Sequence, residues 1–131
     1  MVFRFKNIVI IISLSLQQEQ SMKYRLCKTT EIPEHGCKEF SLTTKHNELS
    51  LFIVHKDDQL YAYKNNCPHT GASLNWQQDQ FLDLDNSFIQ CSIHNALFEI
   101  DSGYCIAGPC SGSSLHELDL NIQDNEIYLV I

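Results

Sequence analysis

The segment C67-P-H-T-G-A-S-L74 places a cysteine and a histidine one residue apart, shortly before a glycine. A second segment, C91-S-I-H-N-A-L-F98, repeats the combination with two residues between the sulfur and the imidazole. The 21 residues between the two pairs leave room for a hairpin. Because each segment follows a predicted strand, we expect two loops side by side at one end of a sheet. Those loops would bring two thiols and two imidazoles around one inorganic centre: Cys67, His69, Cys91 and His94.

The rest of the chain predicts short strands and turns, without a convincing helical period. Turn signals stand at Asp57-Asp58, Asp85-Asn86 and Asp124-Asn125, each between two β-rich runs. Several strands at short spacing favour an all-β fold, an antiparallel β-sandwich or small barrel. Single strands are predicted at residues 23–28, 37–44, 49–55, 59–65 and 95–100. Two further pairs of strands are predicted, a hairpin within residues 80–91 and two strands within residues 114–131.

Length and charge limit the organisation and the partners of the chain. Its 131 residues fit one domain, which we place at residues 22–131. The net charge of −7 argues against nucleic acid and favours encounter with a basic patch on another protein.

Residues 1–21 differ from the rest, with two basic residues, an apolar run at 8–16 and a glutamine-rich patch. Nine apolar residues are too few for a bilayer core, which needs about 20. We interpret the segment as an extension or a start placed upstream of Met22; a signal-like or membrane-associated segment and an added strand are the alternatives.

Two kinds of metal centre compete for the cysteine–histidine segments. Structural zinc usually takes its ligands as Cys-x(2–4)-Cys and His-x(3–5)-His pairs. Here each loop mixes one sulfur with one nitrogen, which suits a centre with two chemically different ends. A [2Fe–2S] cluster with two cysteines on one iron and two histidines on the other has that character.

The residues C67-P-H69-T-G71-A and C91-S-I-H94 resemble the Rieske iron–sulfur motif, and G103-Y-C-I-A-G-P109 resembles the proline-containing loop of that family. The resemblance covers roughly residues 23–131. It implies a Rieske-type fold with a cluster-binding lobe at about 65–110, and one [2Fe–2S] cluster per subunit. Cys67 and Cys91 would hold the inner iron, and His69 and His94 the outer iron near solvent.

Departures from the family pattern point to its ferredoxin-type branch. The respiratory branch has a disulfide between the loops, but the matching positions here are Ala72 and Ile93. Its serine and tyrosine donors to sulfur are replaced by Ala96 and Phe98. Fewer donors predict a potential near the low end of the Rieske range, roughly −150 to −50 mV. Asn95 stands where the family usually has glycine, and asparagine tolerates the positive φ that glycine suggests.

The resemblance implies a one-electron carrier between a flavin-dependent reductase and a terminal oxygenase or reductase. An oxygenase would need a second, catalytic iron site, typically two histidines and a carboxylate, and no such spacing stands outside the motif. We keep two alternatives: a small Rieske-like subunit of a nitrite reductase-type complex, and a zinc-stabilised binding module. The lack of a compact cysteine framework favours a cytoplasmic location, and no stable membrane span is expected.

Other reactive or aromatic residues have simpler interpretations. Cys27 and Cys37 are expected in strands or core, and Cys105 and Cys110 as buried or partly exposed thiols, with a redox role as the alternative. We expect Trp76, Phe81 and Tyr104 to pack around the loops. We expect Asp79, Asp83 and Asp85 in a solvated turn. The remaining histidines are expected on loops or strand surfaces: His35, His46, His55 and His116.

Overall fold

The computed structural model describes residues 22–45, 47–68, 70–75, 77–93 and 95–131. Residues 1–21, and with them the interpretation of the N-terminal segment, lie outside these ranges, as do His46 and Trp76. Within them the chain forms nine strands and one short 3-10 turn at Thr29–Glu31. The strands are β1 (Lys23–Lys28), β2 (Cys37–Thr43), β3 (Glu48–Lys56), β4 (Gln59–Lys64), β5 (Phe88–Gln90), β6 (Leu97–Glu99), β7 (Cys105–Ala107), β8 (Glu117–Gln123) and β9 (Glu126–Val130).

The strands form two antiparallel sheets, so the predicted all-β class is confirmed. The larger sheet has the order β1-β9-β8-β4-β3-β2, and the smaller has β5-β6-β7. All pairings between these strands are antiparallel. The smaller sheet is inserted between β4 and β8, so residues 65–116 form a lobe on the six-stranded base.

Two hairpin turns of the base follow directly from the sequence. Asp57 and Asp58 join β3 to β4 with φ of 54° and 62°, and Asp124 and Asn125 join β8 to β9 with φ of 53° and 64°. Positive φ at both central positions matches the right-handed twist of the flanking strands. Aspartate and asparagine accept this conformation more readily than other residues with a side chain.

The predicted hairpin at 80–91 is only partly formed. Its second arm is β5, but its first arm is reduced to a single bridge between Leu82 and Ile89. The turn is held by Asp83, whose Oδ1 accepts the backbone N–H groups of Ser87 at 2.9 Å and Phe88 at 3.1 Å. Asp83 therefore organises the turn and is not simply a solvated residue.

Strand β3 connects the base to the lobe because it is buried on both faces. Leu51 and Ile53 point into one apolar cluster with Cys27, while Phe52 and Val54 point into the other. Alternation along a strand sends successive side chains to opposite faces. The ring of Phe52 stacks on Phe81 with centroids 4.1 Å apart and planes 10° apart. The apolar core of the lobe, to which Phe52, Val54 and Phe81 belong, is thus continuous with the centre of the larger sheet.

Candidate metal centre

The first cysteine loop leaves the end of β4 and turns back on itself. The backbone N–H of Cys67 donates to the carbonyl of Ala72 at 2.7 Å, and the N–H of Gly71 donates to the carbonyl of Cys67 at 2.7 Å. Gly71 has φ of 80°, and a Cβ at this position would meet no atom within 4 Å. Backbone conformation, and not crowding, therefore favours glycine here.

The second cysteine loop repeats this pattern. The N–H of Cys91 donates to the carbonyl of Ala96 at 2.9 Å, and the N–H of Asn95 donates to the carbonyl of Cys91 at 2.8 Å. Asn95 occupies the position equivalent to Gly71, with φ of 57°. The expectation that asparagine adopts a positive φ in this loop is confirmed.

The two loops are held together and both thiols are shielded from water. The N–H of Ser92 donates to the carbonyl of Leu74 at 2.8 Å, which joins the second loop to the segment following the first. Cys67 and Cys91 are 1% and 0% exposed and belong to the same apolar cluster. The histidines assigned with them, His69 and His94, lie outside the described residues.

A buried amide supports the first loop, and the sequence analysis did not single it out. Asn65, 7% exposed, accepts the N–H of Leu74 at 2.8 Å with its Oδ1 and donates to Asn75 Oδ1 at 2.9 Å. Asn75 in turn donates to Glu39 Oε1 on β2 at 2.9 Å. The network ties both ends of the first loop to the larger sheet. Only the position of Asn65, between a strand and the first cysteine, could have suggested this role.

A third loop, after β7, closes on the second cysteine loop. Gly108 has φ of 100°, and a Cβ built there would lie 2.7 Å from the Cα of Ala96 and 2.9 Å from its Cβ. Such distances are well inside van der Waals contact, so only glycine allows the two backbones to approach this closely. Pro109 follows, exposed, at the tip of this loop.

Strand β7 and the third loop bring two more thiols into the apolar cluster that holds Cys67 and Cys91. Cys105 and Cys110 are 1% and 4% exposed, and their Sγ atoms lie 3.3 Å apart. Burial, and then the neighbouring sulfurs of Cys105 and Cys67, raise the pKa of Cys110 to about 12. The prediction of buried thiols at positions 105 and 110 is confirmed.

Other candidate residues lie away from the two loops. Cys27 is buried in β1, and Cys37 begins β2 with its Sγ 3.1 Å from the carbonyl oxygen of Asp79. Asp79 accepts the backbone N–H of Glu39 at 2.7 Å, so it is not a freely solvated residue. Phe81 packs in the apolar core of the lobe as expected, and Tyr104 is 45% exposed. The described histidines outside the motif are exposed or half-buried: His35, His55 and His116.

Glu34, His55 and Asp58 form a group elsewhere whose ligand atoms all lie within 4.8 Å of one another. Local hydrogen bonds account for it. His55 Nδ1 lies 2.8 Å from the carbonyl oxygen of Ile32, and Glu34 accepts the backbone N–H groups of Asp57 and Asp58 at 2.6 and 3.3 Å. These N–H bonds, foremost that of Asp57, lower the pKa of Glu34. The group serves the β3–β4 turn.

The described part of the site fits an iron–sulfur centre. Two buried thiols presented by matching loops supply soft ligands, which iron–sulfur clusters prefer. The Oγ of Ser92, next to Cys91, is buried and has no hydrogen-bond partner among the described residues. A buried hydroxyl without a partner is costly, and the sulfide of a cluster is an acceptor that could satisfy it. The structure thus defines a small β domain with a paired-loop thiol site.

Comparison with known proteins identifies the class. A model of the Rieske [2Fe-2S] domain matches residues 22–122, and the chain belongs to that family. It is similar to the 3-phenylpropionate/cinnamic acid dioxygenase ferredoxin subunit of Photorhabdus laumondii, with 26% identity over 106 residues that cover 81% of this chain and 91% of the relative.

Solved structures share the fold. The ferredoxin of carbazole 1,9a-dioxygenase from Nocardioides aromaticivorans IC177 superposes with a TM-score of 0.63 at 19% identity, covering 82% of this chain and 96% of that one. A chain in the complex of reduced oxygenase and oxidized ferredoxin in carbazole 1,9a-dioxygenase also gives 0.63, at 20% identity, with 82% and 91% covered. Among the described residues, no helix has the length and apolarity to span a membrane.

Proposed function

We propose that this chain is a one-electron carrier that holds one [2Fe–2S] cluster. Cys67 and Cys91 would bind one iron, and His69 and His94 the other. The observation that carries the proposal is the pair of matching loops, each closed by the same two backbone hydrogen bonds around a buried thiol. Membership of the Rieske family supports the choice of the cluster over zinc.

When bound, the cluster would supply reversible one-electron chemistry at a potential above that of all-cysteine clusters, because neutral imidazoles replace two thiolates. The chain itself keeps water from the sulfur ligands: Cys67 and Cys91 lie in the apolar core beneath the loops. The second loop also reaches the surface, where Ile93 is 56% exposed immediately before His94. An apolar, exposed loop tip beside a ligand suits brief docking to another redox protein.

We infer that the electrons come from a flavin-dependent reductase and go to a terminal oxygenase. The curated relative is named as the ferredoxin subunit of a dioxygenase, and a structurally similar chain occurs in a complex of oxygenase and ferredoxin. The net charge of −7 would favour basic docking patches on both partners. We place the carrier in the cytoplasm, with residues 22–131 as its functional domain and no catalysis by this chain alone.

The test is to replace each proposed ligand by alanine and to measure iron, zinc and acid-labile sulfide in the purified proteins. We expect Cys67→Ala, His69→Ala, Cys91→Ala and His94→Ala to lose the cluster. The controls are Cys27→Ala, a buried thiol in the other core, and His116→Ala, an exposed imidazole. Coulometric reduction of the wild type should take up one electron per chain, reversibly and without added substrate. A colourless, zinc-containing wild type without sulfide would refute the proposal.

A further inference from the structure

The β3–β4 turn brings three metal-ligating side chains together on the six-stranded base. Among the described residues, only Glu34, His55 and Asp58 place one ligand atom each within 4.8 Å of one another. Glu34 precedes β2, His55 lies on β3, and Asp58 lies in the turn that follows. The turn stands before β4 and the first cysteine loop after it, so this group and the paired loops lie at opposite ends of that strand.

The hydrogen bond of His55 fixes which ring nitrogen faces the carboxylates. Its Nδ1 lies 2.8 Å from the carbonyl oxygen of Ile32, and because a carbonyl can only accept, Nδ1 carries a proton. In a neutral imidazole the other nitrogen, Nε2, is then an acceptor. That nitrogen lies 3.2 Å from Glu34 Oε1, which is an acceptor as well. Two acceptors at this distance repel each other unless a cation, either a proton or a metal ion, lies between them.

The hydrogen bonds around the group are those that support metal ligands. A metal-binding histidine usually donates its second N–H to a carbonyl or carboxylate, and a metal-binding carboxylate accepts hydrogen bonds of its own. His55 donates to Ile32, and Glu34 accepts the N–H groups of Asp57 at 2.6 Å and Asp58 at 3.3 Å. The side chains of His55 and Glu34 are 22% and 37% exposed, so an ion can reach them from solvent. The bonds that build the turn therefore also hold two ligands in position.

We propose that Glu34, His55 and Asp58 bind one zinc ion or a similar divalent transition-metal ion. Zinc binds imidazole nitrogen and carboxylate oxygen at about 2.0–2.2 Å, and two such ligands on a tetrahedral ion lie about 3.3–3.5 Å apart. The 3.2 Å between His55 Nε2 and Glu34 Oε1 is close to this spacing. Magnesium and calcium prefer sites made of oxygen alone, so the imidazole selects against them. The fourth position is open to water or to the exposed His35, whose Nε2 lies 3.8 Å from Glu34 Oε2.

The test is isothermal titration of zinc into the purified protein with its loop centre loaded, compared with three single variants. His55→Asn keeps an amide donor for the carbonyl of Ile32 but lacks Nε2. Glu34→Gln keeps an acceptor for the backbone N–H groups, and Asp58→Asn suits the φ of 62°. We expect the wild type to bind one added zinc ion and each variant to bind it at least about tenfold more weakly, since even a lost supporting hydrogen bond costs a metal site about 10–100-fold. X-ray absorption of the added zinc should show nitrogen and oxygen neighbours only.

Asp57→Asn is the matched control, because it removes a carboxylate of the same turn that is not part of the group and keeps the N–H that Glu34 accepts. It should bind zinc as the wild type does, and a loss as large as that of Asp58→Asn would reduce the effect to charge and overturn the inference. Zinc binding that survives in all three variants, or that shows sulfur neighbours, would assign the ion to thiols and also overturn it. A wild type that binds no added zinc would leave His55 and Glu34 as an ion pair only. The proposed function is tested separately, because loss of the cluster from the loop variants should leave zinc binding at this turn unchanged.

Discussion

Replacing Asn65 by alanine should loosen the first cysteine loop without touching a proposed ligand. The substitution leaves the N–H of Leu74 without its acceptor at 2.8 Å and removes the donor to Asn75 at 2.9 Å. Leu74 is fully buried, so water cannot take the place of the lost amide. A buried, unsatisfied donor costs about 1–3 kcal/mol, and the second hydrogen bond contributes about 0.5–1.5 kcal/mol. We therefore expect the free energy of unfolding to fall by about 2–4 kcal/mol.

The assay is urea denaturation of the holoprotein, followed both by far-UV circular dichroism and by the visible absorbance of the cluster. With a slope of about 1–3 kcal/mol per molar urea, a loss of about 2–4 kcal/mol should lower the unfolding midpoint by about 0.7–4 M. The cluster should also bleach faster than in the wild type, because the loop that carries Cys67 opens first. A bound cofactor makes unfolding depart from two states, so midpoints are compared instead of extrapolated free energies.

Two further variants make the result specific to the amide. Asn66→Ala changes the exposed neighbour and should leave the midpoint unchanged. Asn65→Asp keeps an acceptor for Leu74 but places a negative charge near Glu39, whose Oε2 lies 3.4 Å from the amide nitrogen of Asn65. It should therefore also lower the midpoint. An Asn65→Ala protein with the midpoint and bleaching rate of Asn66→Ala would refute the reasoning.

Two other substitutions test the packing of the lobe. Gly108→Ala should lower the urea midpoint and the cluster content, because the new Cβ would lie 2.7 Å from the Cα of Ala96. Gly112→Ala is the control: Gly112 has a similar φ of 94°, but a Cβ there would meet no atom within 4 Å, so this variant introduces only backbone strain. Equal losses in both variants would show that the contact with Ala96 does not matter. Tyr63→Phe removes a buried hydrogen bond of 2.6 Å to the carbonyl of Ile100 and should cost about 1–3 kcal/mol at neutral pH, measured by urea denaturation. Burial also raises the pKa of Tyr63, so its contribution is complete below about pH 10, the pKa in the unfolded chain, and is lost at higher pH. Stability should therefore decline less steeply above pH 10 in Tyr63→Phe than in the wild type or in Tyr104→Phe, and identical alkaline slopes would contradict this assignment.

Local chemistry made part of this fold predictable from the sequence. The turns at Asp57-Asp58 and Asp124-Asn125 and the positive φ of Asn95 depend on a few adjacent residues, and all three appear in the structure. The two cysteine loops were also placed correctly, each after a strand. The structure adds that both loops close by the same backbone hydrogen bonds, a similarity hidden by their different spacing of cysteine and histidine.

Long-range contacts account for what the sequence did not predict. Asn65, Asn75 and Glu39 are polar residues with no local pattern, and their network exists only because β2 passes beside the first loop. The sequence predicted a solvated turn for Asp79 and Asp83 because their side chains are charged. Both carboxylates instead accept backbone N–H groups, and a sequence does not show which backbone groups a side chain will meet. The ligand roles of His69 and His94 stay predictions, since neither lies among the described residues.

The most direct test of the central claim is the iron and acid-labile sulfide content of anaerobically purified protein, with EPR of the same sample after reduction. The account predicts two irons and two sulfides per chain, as one [2Fe–2S] cluster requires, and a Rieske-type signal whose average g is lowered by histidine ligation. Zinc without sulfide would contradict it and make the chain a metal-stabilised binding domain. A [2Fe–2S] signal of the all-cysteine type would contradict the assignment of His69 and His94.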